Sequence, residues 1–119
     1  MRYLFLIYNS EAAREAAPAA EHEACLQAHR RVVASTAQRG ILLGAAPLHP
    51  TRTARTVRVA DGRPLVVDGP FAETKEQLGG FYILDCASIE EAIDWAAQIP
   101  TVGGRGCVEI RPMSSLPAA

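Results

Sequence analysis

From Tyr3 to Tyr8 every residue is apolar or aromatic, and Asn9 and Ser10 end the run. A short continuous run of this kind predicts a buried strand. Residues 11–20 are Ala-rich and broken by Pro18, which predicts a loop or a short helical turn. Residues 20–39 change to helical spacing. Cys25, Leu26, Val32, Val33 and Ala37 form the apolar stripe, Arg30, Arg31, Gln38 and Arg39 fall on wetter sides, and Gly40 stands where a helix-ending glycine belongs. Ile41 to Ala45 predicts a second strand, followed by a loop bracketed by Pro47 and Pro50. Thr53–Ala60 and Pro64–Asp68 predict a hairpin around the Asp61-Gly62 turn. Asp68-Gly69-Pro70-Phe71 predicts another turn, and residues 72–78 are polar with helical propensity until Gly79-Gly80 breaks them. Phe81–Cys86 is a further expected strand. Ser88 and Glu91 form an S-x-x-E capping box for a second helix, with Ala92, Ile93, Ala96 and Ile99 inward, Trp95 at the margin and Pro100 as the stop. A Gly-rich loop at 101–106 precedes a last strand, Cys107–Arg111, and residues 114–119 are expected to be a loose tail.

The order is β-α-β, hairpin, β-α-β, which predicts an α+β protomer of ferredoxin-like layout. In such a fold two helices cover one sheet face, and the other should alternate to polar residues. Here Tyr3, Phe5 and Ile7 point one way and Leu4, Leu6 and Tyr8 the other, and both sets are apolar. The strand from Phe81 behaves similarly. An uncovered apolar sheet face predicts a homodimer packed sheet to sheet about a two-fold axis. The competing expectation is that the 45–53 loop folds over that face.

Composition narrows the setting. The 119 residues, 49% of them hydrophobic, suit one globular domain over 1–119. A formal net charge of −1, with no basic stripe or acidic tail, argues against nucleic acid and anionic membrane as partners. The apolar start is too short for a secretory leader or a membrane span. Cys25, Cys86 and Cys107 are odd in number and widely spaced, with no CxxC pair. Together these features predict a protein of the reducing cytoplasm.

The stretch Val67-Asp68-Gly69-Pro70-Phe71-Ala72-Glu73-Thr74-Lys75-Glu76-Gln77-Leu78-Gly79-Gly80-Phe81-Tyr82 closely resembles the signature of YCII-related proteins of the DGPF branch. The LFLIY strand, the GILLGAAPLHP segment, the EEAIDWAAQIP helix and the VEIRPM strand fit as well, so the resemblance covers nearly the whole chain. It implies a bacterial protein, a dimeric α+β barrel of ferredoxin-like protomers, and an association with extracytoplasmic-function sigma factors. In the family's other branch, a His in the first helix and an Asp before a Pro at the end of the second form a suspected active-site dyad. His29 matches the His. Ile99 stands before Pro100, so the Asp is absent.

His29 lies in register with the apolar stripe. A histidine there is either a satisfied core group or a general acid/base, and the second role needs a partner to fix its tautomer. Asp68, at a strand end, is the candidate substitute for the absent Asp, although Asp before Gly-Pro also caps turns by itself. Glu73, Thr74, Lys75 and Glu76 form a polar group after the turn. Together with Gly79, Gly80 and Tyr82 they make a candidate ligand-binding lip, with the glycines as a hinge or a place of close backbone approach. The bland alternatives are a solvated turn and a core tyrosine. His22, Cys25 and His29 share a helix face in H-x2-C-x3-H order, but three donors from one helix fall short of a structural zinc set, and no metal is expected. Gly103–Gly106 lacks the phosphate-loop pattern and precedes a strand. Arg52, Arg55 and Arg58 are expected as surface charges.

These residues predict a dimer with a small-molecule cleft near His29, Asp68 and the 73–76 turn, without cofactor. Any reaction would be acid/base chemistry, with His29 moving the proton and Asp68 orienting it. The alternative is a non-catalytic partner module associated with sigma-factor regulation.

Overall fold

The computed structural model describes residues 1–116. Its strands are β1 (Arg2–Asn9), β2 (Leu42–Pro47), β3 (Arg55–Ala60), β4 (Arg63–Asp68), β5 (Gln77–Asp85) and β6 (Cys107–Pro112). Its helices are α1 (Glu11–Ala16), α2 (Ala19–Gln38) and α3 (Ile89–Ala96). Four strands form an antiparallel sheet in the order β2-β5-β1-β6, while β3 and β4 form a separate two-stranded hairpin. With the hairpin set aside, this is the strand order of a ferredoxin-like α+β fold. Of the expected tail, Ser114–Leu116 follow β6 as irregular chain, and 117–119 lie outside the described residues. No described helix is long and apolar enough to cross a membrane.

The apolar run at the N-terminus becomes the central strand because both of its faces are apolar. Tyr3, Phe5 and Ile7 are buried under the helices, against Tyr82 and Leu84 of β5, Val32 of α2, and Ala92, Trp95 and Ile99 around α3. The opposite face carries Leu4, Leu6 and Tyr8 of β1 beside Phe81 and Ile83 of β5, all only partly buried.

The helices depart from the expected stripes. On α2 only Val32 and Thr36 are buried, whereas Leu26 and Val33 are exposed. The inward line runs through His22, Cys25, His29, Val32 and Thr36, at alternating spacings of three and four, which is the narrow seam of a helix laid on a sheet. Thr36 fits the core because its hydroxyl donates to the Val32 carbonyl at 2.8 Å. On α3 the inner residue is Trp95, 5% exposed, and Ile93 points out at 54%. Trp95 continues the Ala92–Ile99 line, and the Arg39 guanidinium covers its ring at 5.3 Å. The predicted cap holds: Ser88 Oγ accepts from Glu91 N–H at 3.2 Å, and the Glu91 carboxylate accepts from Ala87 N–H at 2.7 Å. Ser10 caps α1 in the same manner, accepting from Ala13 N–H at 3.1 Å.

Residues 72–76 are irregular rather than helical. There the Thr74 hydroxyl donates to the Glu76 carbonyl and the Gln77 amide to the Thr74 carbonyl, so side chains take the carbonyls a helix would need. Gln77 then opens β5, its Oε1 accepting from Glu11 N–H at 2.8 Å. Gly79-Gly80 does not break the chain but lies inside β5, where a Cβ on Gly80 would come within 3.0 Å of the Ala46 carbonyl oxygen on β2. The pair serves close strand approach and gives no sign of a hinge.

Candidate functional site

A cavity of about 590 Å³ opens between α2 and the β2 side of the sheet. Its origin is legible residue by residue. Around Ile7 and Tyr82, the sheet beneath the first half of α2 is built of small residues, Ala45 and Ala46 on β2 and Gly79-Gly80 on β5, so this half of the helix does not close down as the second half does at Val32 and Thr36. The walls are mostly apolar: Ile7 from β1, Val102 from the loop after α3 and, at the exposed rim, Leu26 and Val33 from α2. The polar groups are His22, Cys25 and His29 on the α2 seam, Tyr82 on β5, Asn9 at the end of β1, Thr101 after α3, and Arg14 and Arg30. An apolar hollow of this size with a few convergent polar groups is the usual form of a small-molecule site.

His29 and Tyr82 make its polar pole. Nδ1 of His29 lies 2.7 Å from the Tyr82 hydroxyl, and the two rings stack with centroids 5.9 Å apart and planes 17° from parallel. Burial lowers the His29 pKa, and the charge of Arg14 lowers it further. Burial first, then the negative charge that Cys25 carries once it ionises at high pH, pushes Tyr82 up to about 12. Both groups are therefore neutral at pH 7. The Cys25 thiol is also raised by burial, so it is held as the thiol and not as a thiolate nucleophile.

The expected His29–Asp68 pair is not formed. Asp68 closes the hairpin far out in solvent, its side chain 86% exposed, and its carboxylate forms an ion pair with Arg55, Nε to Oδ1 3.0 Å. Strand register dictates this, since Arg55 and Asp68 are directly opposed at the open end of the hairpin. Of the expected lip, Gly79, Gly80 and Tyr82 line the cavity, while Glu73, Thr74, Lys75 and Glu76 are exposed and do not. Arg14, Cys25 and the apolar walls were not predicted as ligand contacts. The run of small residues in GAAP and GG was the available signal for a hollow under the helix.

His22, Cys25 and His29 do share the cavity, but no group of three or more metal-binding side chains gathers among the described residues. The remaining motifs are structural. Gly103 and Gly104 take positive φ in the turn before β6, where Arg105 reaches back to Glu21 at 2.7 Å. Arg52 lies 3.7 Å from Glu15 on the surface.

A family model described as YCII-related domain matches residues 1–116. An uncharacterised protein of Rhizobium meliloti (strain 1021) is 41% identical over 115 residues, covering 96% of this chain and 93% of its own.

Proposed function

The chain belongs to the YCII-related family, and on that premise we propose that it binds a small molecule in the cavity under α2, with His29 as the proton-carrying group and Tyr82 as the residue that orients it. The observation that carries this reading is the 2.7 Å contact between His29 Nδ1 and the Tyr82 hydroxyl inside a mostly apolar hollow. A neutral imidazole engaged at Nδ1 keeps Nε2 for a ligand. The Tyr82 phenol, with a pKa of about 12, keeps its proton at neutral pH and donates it to Nδ1. In that tautomer the ring proton sits on Nε2 and donates a hydrogen bond to a ligand oxygen; in the other, Nδ1–H donates to the Tyr82 oxygen and the free Nε2 can take a proton from a ligand and return it. This chemistry uses only side chains of the chain itself. Asp68 has no part in it.

The working unit in this reading is a homodimer of the DGPF branch. Two features support it. Leu4, Leu6, Tyr8, Phe81 and Ile83 leave one sheet face apolar and only partly buried. In addition, the β3–β4 hairpin projects with Val57, Val59, Leu65, Val66 and Val67 all more than half exposed, although an isolated two-stranded hairpin is marginal in water. The radius of gyration is 16.3 Å, where a compact chain of this length would have about 13.5 Å.

The reading is tested by a fragment screen followed by 1H–15N correlation spectra. Binding is expected to move the Gly79, Gly80, Tyr82 and His29 resonances and to weaken in His29→Ala. A screen with no hits, or with hits that map only to the surface of α3 or the hairpin, contradicts it.

A further inference from the structure

The charged residues around the cavity are all of one sign. The chain carries 13 acidic and 12 basic residues, Lys plus Arg. Yet Arg14, Arg30, His22 and His29 line the hollow, and no described Asp or Glu does. The carboxylates on the neighbouring stretch of chain are engaged elsewhere. Glu11 accepts from the backbone N–H and hydroxyl of Thr51 at 2.8 and 2.9 Å. Glu15 lies 3.7 Å from Arg52, and Glu21 holds Arg105 at 2.7 Å. Glu23 accepts from Gln27 at 2.9 Å. Among the described residues neither Arg14 nor Arg30 has a carboxylate within ion-pair distance.

Resting on the reading of the cavity as a binding site, we infer that its ligand is a small monoanion with an apolar body, a carboxylate or phenolate whose charged oxygen meets Arg14 and His29 while its hydrocarbon part lies against Ile7, Leu26, Val33 and Val102. The geometry suits the two ends. Arg14 is exposed, so the charged head stays at the wet rim and need not be fully desolvated. Ile7 and Val102 are buried and Leu26 and Val33 are exposed beside the opening, so a hydrocarbon chain laid along them removes apolar surface from water. A guanidinium offers a fork of donors to a carboxylate, and a neutral imidazole with its proton on Nε2 adds one more. That Arg14 depresses the His29 pKa places its charge within electrostatic reach of the ring. A cationic ligand would meet the guanidiniums of Arg14 and Arg30 and no counter-charge.

The test compares octanoate with 1-octanol, which share a chain and differ in charge, each titrated into the full-length protein at pH 7.5 and low salt. The amide resonances of Gly80 and Tyr82 report cavity occupancy. Octanoate is expected to bind about tenfold more tightly than octanol, the scale of one charge-assisted contact at a partly exposed rim. Arg14→Gln should abolish that difference and leave octanol binding unchanged, and Arg14→Lys should restore part of it. Equal binding of the two probes in the native protein, with no effect of Arg14→Gln, overturns the inference and leaves the cavity reading standing. Octanoate shifts confined to residues outside the cavity also overturn it. If neither probe binds, the cavity reading fails and the inference fails with it. The native-protein comparison does not depend on any variant folding.

Discussion

His29 on α2 and Tyr82 on β5, 53 positions apart in the chain, meet twice, through a 2.7 Å hydrogen bond and a near-parallel ring stack. The α2 seam brings one and the β1–β5 register brings the other. Tyr82 pairs with Phe5 across the ladder, which turns its ring to the helix side. The contact spans the two layers of the fold at the point where small residues leave them apart.

Histidine ionisation should make stability fall in mild acid. The ordinary His pKa of 6.5 is lowered in the folded chain. The unfolded chain therefore takes up a proton first as pH drops, which favours unfolding. Denaturant unfolding should show stability declining as pH falls below about 6.5 and levelling off below the folded pKa of His29. His29→Gln should remove that component of the decline. A pH profile identical in the variant would contradict the assignment.

Tyr82 acts at the other end of the scale. Its pKa rises from 10.0 to about 12, so the unfolded chain loses the proton first. Stability from this residue is intact below pH 10 and is lost as pH climbs towards 12. Tyr82→Phe should flatten this alkaline loss, measured in the same unfolding series.

Ser88→Ala removes the side-chain acceptor at the start of α3 and should cost about 1 kcal/mol, seen as a lowered thermal midpoint with no change at the cavity. Ser88→Asp should recover it, because a carboxylate also caps a helix N-terminus.

Gly80→Ala probes the sheet beneath the cavity. The added methyl would press on the Ala46 carbonyl and force β2 away from β5. The expected result is a loss of stability of about 1–3 kcal/mol, the usual range for overpacking. Cavity amides should shift on both strands. The same substitution at Gly69, where no atom lies within 4 Å of the added methyl but φ is +98°, separates steric contact from backbone strain.

The dimer is tested by light scattering at micromolar concentration. Native protein is expected at twice the chain mass of 12.8 kDa. Leu6→Glu, placed at the centre of the uncovered sheet face, should shift it to monomer. A native monomer contradicts the account of the two-sided apolar strands.

The elements were legible where local pattern and burial agree. The two-faced apolar run of β1, the Asp61-Gly62 hairpin and the Ser88 cap follow from neighbours within a few residues. Misreadings arose where tertiary contacts decide. Ile93 and Trp95 both fit a helical stripe, and only the sheet below selects Trp95. Gly79-Gly80 reads as a break until β2 is placed beside it. The 72–76 segment has helical composition, but Thr74 and Gln77 divert its backbone. Asp68 lies near Tyr82 in sequence, yet the hairpin carries it out to Arg55. For the site, His29 is visible in the sequence as a titratable group in register with the apolar stripe of its helix. Its partner depends on strand register, which no local pattern encodes.

The most direct measurement is an NMR pH titration of the His29 imidazole in the native protein and in Tyr82→Phe. The account predicts a native pKa below 6.5. It predicts a rise towards that value in Tyr82→Phe, because the lost hydroxyl no longer donates to the neutral ring. Arg14→Gln should raise it as well by removing a nearby positive charge. A His29 pKa that is unchanged or falls in Tyr82→Phe would mean that Tyr82 does not hold the neutral ring, and would contradict the proposed acid–base pair. The partner-module reading would then be the one to pursue.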